Sequence, residues 1–141
     1  ARYTALAVLL PVVAGQSGNA GAQALAVTMR GLALREIGTG HWLRVASKET
    51  VSGLLNGLGI AVTCSAGVYV WSGSLGLCVV IASSMILSML AAGAAGAMVP
   101  IMLKRLGQDP AQSSSIVLTT VTDVAGFFSF LGIATALSGM L

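Results

Sequence analysis

Apolar positions along the chain gather into four long runs with short polar breaks between them. The runs cover about Tyr3–Leu34, Thr50–Trp71, Leu75–Leu103 and Ala111–Leu141. At about 1.5 Å per residue a helix over any of them crosses a hydrocarbon core of about 30 Å, the longer ones with tilt or overhang. Barrel strands would show segments of about ten residues with alternating polarity, and these runs do not. The pattern predicts an all-α integral membrane domain with four transmembrane helices at about 3–34, 50–71, 75–103 and 111–141, in contact with the lipid bilayer.

The polar breaks set the expected topology. Residues 35–49, REIGTGHWLRVASKE, place Arg35, Arg44 and Lys48 among Trp42 and Leu43, which predicts a short amphipathic helix lying in the membrane interface. His41 reads as an exposed side chain of that loop. The second break is only Ser72, Gly73 and Ser74. The third, KRLGQDP at 104–110, ends in a helix start, with Asp109 as the cap and Pro110 in the first turn. With four spans the loops 35–49 and 104–109 share one side. Their Lys and Arg mark it as the cytoplasmic side of a multi-pass plasma (inner) membrane protein, with the C-terminus outside. Arg2 is the one basic residue left on the outer side.

Composition narrows the class further. Of 141 residues 56% are hydrophobic and only 8% charged, where a soluble domain carries about a quarter charged. The mean hydropathy of +0.94 agrees. Eighteen glycines, many beside Ala or Ser, suit close helix packing in a membrane. Gly53, Gly57, Gly93 and Gly96 are assigned to that packing. Cys64 and Cys78 read as small buried hydrophobes. Neither a nucleic-acid patch nor a convincing internal repeat is present. A nucleophile–base pair, a phosphate loop with a following lysine and an HExxH motif are all missing, so an enzyme is not expected. The start Ala-Arg-Tyr-Thr, without methionine, reads as an internal position in a longer protein.

One residue breaks the avoidance of charge. Asp123, in TTVTDVAG, lies twelve residues after Ala111, about 18 Å into the membrane. A carboxylate at that depth costs several kcal/mol and ordinarily faces a cavity or a partner. Ser115, Thr119, Asp123 and Gly126 follow at spacings of four, four and three, which predicts one polar helix face. In the first run Gly15, Gly18, Asn19, Ala22 and Ala26 also recur by threes and fours, and Asn19 falls at a depth similar to that of Asp123. No basic residue lies at that level. A carboxylate with amide, hydroxyl and carbonyl oxygens around it suits a hard cation such as Mg²⁺ or Na⁺. The plainer alternative is a protonated Asp123 that hydrogen-bonds Asn19 or a threonine and holds helices together.

The segment GQSGNAGAQALAVTMRGLA, with Pro11 ahead of it, resembles the second transmembrane helix of the MgtE family of magnesium channels. Val99–Ala134, which contains the TxTDxxG motif, resembles the end of that family's fourth helix and its fifth. The resemblance implies a homodimer of five-helix transmembrane domains, of which four helices are present and the first is absent. It implies a pore on the two-fold axis through which Mg²⁺, the transported ion, passes as a hydrated cation held by paired Asp123. Ser115, Thr119 and Gly126 would line one wall and Gly15, Gly18, Asn19 and Ala22 the other. The family often carries a second Asn where this chain has Ala22, a hydroxyl at Ala26 and Asn at Ser115, so fewer side-chain oxygens remain here. Two other functions fit the residues: a Na⁺- or H⁺-coupled Mg²⁺ transporter, and a non-conducting membrane assembly subunit.

Overall fold

A computed structural model describes residues 2–140. It contains four long helices, α1 (Arg2–Ala33), α2 (Trp42–Ser72), α3 (Leu75–Arg105) and α4 (Pro110–Ala136), with single 3₁₀ turns at Thr39–His41 and Ser138–Met140. Each of the four is long and apolar enough to cross a membrane. Leu141, the expected end of the fourth run, lies outside the described residues.

The breaks between helices follow local backbone chemistry. Gly73 closes α2 with φ +65°, a left-handed conformation that glycine adopts without a Cβ penalty, and its N–H donates to the Tyr69 carbonyl at 2.8 Å. The Ser74 hydroxyl then accepts from the Leu77 N–H at 3.3 Å and starts α3. Asp109 caps α4 as its position suggests: Oδ1 accepts from the Ala111 N–H at 2.9 Å, with Pro110 in the first turn.

The segment 35–49 corrects the sequence expectation of a separate interfacial helix. Residues 42–49 are instead the first two turns of α2, which begins eight residues before the expected start at 50. The reason is a buried stripe that runs on without interruption. Ala46, Glu49, Gly53 and Gly57 all face α3, and Glu49 is the one buried charged residue among those described.

Helix α3 is the centre of the bundle. It packs against α1, α2 and α4, and α1 also packs against α4, whereas α1 and α2 scarcely meet. Glycines set the close approaches. A Cβ on Gly53 would run into the Met89 carbonyl oxygen, and one on Gly93 into the Glu49 carbonyl oxygen. Gly96 does the same for α1, where a Cβ would lie 2.5 Å from the Gly21 carbonyl oxygen. These are the packing roles that the spacing suggested for Gly53, Gly57, Gly93 and Gly96. Ser83 and Ser84 donate to the carbonyls of Val79 and Val80 at 2.6 Å, and Ser88 to that of Met85 at 3.2 Å. Their polarity is thus absorbed by their own helix. At one end of the bundle Val13, Val80, Ile81, Met85 and Phe130 form a core with almost no exposure.

Candidate functional site

The inner face of α4 is a strict four-residue series: Ser114, Leu118, Thr122, Gly126, Phe130 and Ala134 are all buried. Its α1 counterpart includes Ala14, Ser17 and Gly21. The Ser17 hydroxyl donates to the Ala14 carbonyl of its own helix at 2.9 Å and to the Thr122 carbonyl across the interface at 3.3 Å. A Cβ on Gly126 would sit 3.2 Å from Ala14 Cα, and one on Gly21 3.0 Å from the Thr122 methyl. Residues ascending α1 therefore meet residues descending α4, so the two helices are antiparallel. Ser17 is level with Thr122, and because the helices are antiparallel Asn19 lies about 3 Å further along the axis, level with Thr120 and about 4.5 Å from the level of Asp123.

The structure divides the polar face expected on α4. Gly126 lies in the contact between α4 and α1. Ser115 and Thr119 are exposed and Asp123 is half-buried. Together with Ile116 and Thr120 these three line a cleft of about 330 Å³ on the outside of the single chain. The Thr119 and Thr120 hydroxyls donate to the carbonyls of Ser115 and Ile116 at 2.8 and 3.0 Å. Their protons are committed to the helix, so each oxygen presents lone pairs outward. With the Asp123 carboxylate, the cleft is a surface of acceptors. It carries no cation of its own, since α4 contains no Lys, Arg or His. The described residues contain no cluster of three or more His, Cys, Asp or Glu. One copy of the chain thus offers a single carboxylate and no closed ligand cage.

The expected α1 positions also separate. Gly15, Asn19 and Ala22 are exposed and Gly18 half-buried, and a Cβ on Gly15 or Gly18 would meet nothing within 4 Å. No close approach within this chain requires those two glycines. Asn19 lines a cavity of about 490 Å³ in the open seam between α1 and α2, with Gln16 and Gln23 from α1 and Asn56 and Thr63 from α2. Gln16, Gln23, Asn56 and Thr63 are functional-site candidates that depth and the Asp123 stripe do not single out. The available signal was a repeated spacing: 16, 19 and 23 on α1 match 56, 59 and 63 on α2, at i, i+3 and i+7.

Residues 10–133 match the family model "MgtE: Divalent cation transporter". The chain is similar to the magnesium transporter MgtE of Thermus thermophilus, at 40% identity over 131 residues, which is 93% of this chain and 29% of that protein. It is 35% identical to the Bacillus subtilis magnesium transporter MgtE over 96% of this chain and 30% of the relative. The Enterococcus faecalis protein of the same name is 34% identical over 92% of this chain and 28% of its own length. The chain spans about three-tenths of the length of these relatives. With a family model matched over nearly its whole length and these motifs held in a four-helix membrane bundle, the chain belongs to the MgtE family of divalent cation transporters.

Proposed function

We propose that the domain conducts Mg²⁺ through a pore formed between two copies, with the Ser115–Thr119–Asp123 face of α4 as the ion path and the paired Asp123 carboxylates as the cation site. One observation carries the reading: the sole charged residue at mid-depth of α4 sits in an outward cleft of acceptor oxygens that no other part of the described chain covers. A carboxylate at that depth needs a partner, and a second copy around a hydrated cation supplies one.

Helical geometry supports the second wall. With α1 and α4 antiparallel and joined along Ser17–Thr122, the 100° step per residue turns Gly18 and Ala22 to the same side of the pair as Thr119 and Asp123, away from α3. Gly15 follows at the edge of that wall. Asn19 turns toward α2, so its amide reaches the ion path only from the flank. Gly126 supports the wall from behind by letting α1 approach α4. Mg²⁺ gives up its waters reluctantly, and a site of carboxylates and hydroxyls without a rigid cage suits the hydrated ion. The relatives' name, magnesium transporter, agrees with this choice of cation.

An open path needs no second gradient. Liposomes containing the protein should take up Mg²⁺ down its own gradient, at a rate unchanged when opposing Na⁺ and proton gradients are removed. Strict dependence on either gradient would replace the channel with a coupled transporter. Absence of uptake by the complete protein would leave an assembly subunit.

A further inference from the structure

The basic end of the bundle holds a pocket that plays no part in the ion path. Trp42 opens α2, and Met98, Ile101, Met102 and Arg105 form one stripe on α3. Together they enclose about 250 Å³. The Arg105 guanidinium stands 6.0 Å from the centre of the Trp42 ring and donates one N–H to the Thr39 carbonyl. The bond to Thr39 and the indole hold the guanidinium at the mouth of the pocket, and its remaining N–H donors are free for another acceptor. Below the mouth the walls are thioether and aliphatic. Next to Trp42 and Arg105 in sequence, Leu43 and Leu106 are large exposed apolar side chains, as is Met102 of the pocket wall.

The charge at this end fits the same ligand. Six of the chain's seven Lys and Arg residues, namely Arg30, Arg35, Arg44, Lys48, Lys104 and Arg105, lie in or next to the two polar breaks at this end, against Glu36, Glu49 and Asp109. Glu49 is buried against α3. A tryptophan at a helix start is the usual anchor at headgroup level. A fixed guanidinium at that level recognises a phosphodiester, and an apolar slot beneath it accepts an acyl chain.

We infer that the Trp42–Arg105 pocket binds an anionic phospholipid, the phosphate on Arg105 and an acyl chain against Met98 and Met102. Basic pockets of this kind between membrane helices select anionic headgroups. The ligand is a lipid rather than a soluble phosphate because the pocket's volume lies among apolar side chains below the charged mouth.

Quenching of tryptophan fluorescence by brominated lipids reads this site directly. The Trp42 signal is the difference between the wild-type protein and Trp42→Phe, both reconstituted in the full protein. Trp71, at the far end of α2 and about 44 Å away, serves as an internal reference. Brominated phosphatidylglycerol should associate with Trp42 about fivefold more strongly than brominated phosphatidylcholine, the scale expected for one basic contact at a membrane surface. Trp71 should show no preference. The Trp42 preference should fall to near one in Arg105→Gln and be only partly kept in Arg105→Lys, which retains the charge without the fork. Millimolar inorganic phosphate should not change it. Equal quenching by both lipids in the wild type overturns the inference, and that result does not depend on how any Arg105 variant folds. A preference that survives in Arg105→Gln would reduce it to general attraction by the basic face. Loss of the preference in inorganic phosphate would make the ligand soluble.

Discussion

Replacement of Asp123 by Asn should lower Mg²⁺ flux by on the order of a hundredfold while leaving the helical bundle folded. Asn matches Asp in size and keeps the side-chain carbonyl. The half-buried position on α4 makes no interhelical hydrogen bond that the amide would break. The loss is electrostatic. A divalent cation held through its water shell at about 5 Å gains about 1.7 kcal/mol from each carboxylate even at the dielectric of water. Two carboxylates give about 3.3 kcal/mol, and each 1.36 kcal/mol is a factor of ten. Occupancy of the site should fall accordingly, and flux with it, because conduction requires favourable entry as well as release. Uptake of Mg²⁺ by matched liposomes of wild type and Asp123→Asn measures this. Equal rates would make Asp123 a structural residue.

The second large effect concerns the fold. Gly53→Ala should destabilise the bundle by about 1–3 kcal/mol, the usual cost of forcing extra volume into a packed contact. Its new methyl would drive into the Met89 carbonyl, and Gly93 Cα lies 3.5 Å away. Backbone on both sides leaves nothing flexible to yield. Gly67→Ala in the same helix should stabilise the protein by up to about 1 kcal/mol, because its Cβ meets nothing within 4 Å and alanine favours helix over glycine. Unfolding in mixed detergent micelles, with the denaturing detergent titrated, compares the two by midpoint. An unchanged or raised midpoint for Gly53→Ala would mean that the α2–α3 contact is looser than described.

Much of this was legible in the chain. The presence of four long apolar helices is legible because a membrane span must be both long and apolar, although α4 ends at Ala136, short of the expected 141. The cap at Asp109 and the break at Gly73 follow from local chemistry that tertiary packing does not override. The start of α2 is not legible because Arg44, Lys48 and Glu49 look interfacial, while the stripe Ala46–Glu49–Gly53–Gly57 that extends the helix counts a buried glutamate among its members. A spacing of three admits a shared face for Gly126 and Asp123. Spacing alone does not show that Gly126 must yield space to Ala14 and Ser17. Asn19 stands about 4.5 Å from the level of Asp123 and turns into the α1–α2 seam. That seam exists only because α1 and α2 both lean on α3 without closing on each other, a tertiary fact that no single helix encodes.

A thiol placed on the outward face of α4 tests whether ions pass it. With Cys64 and Cys78 replaced by alanine, a single cysteine is placed at Thr119, one turn from Asp123, or at Val124 on the opposite side of the helix. Cd²⁺ binds thiolate far better than hydroxyl. The prediction is that micromolar Cd²⁺ blocks Mg²⁺ flux through Thr119→Cys, that a chelator restores it, and that Val124→Cys is indifferent. Undiminished flux through Thr119→Cys in Cd²⁺, with the thiol shown to be present, would place the ion path elsewhere in the molecule.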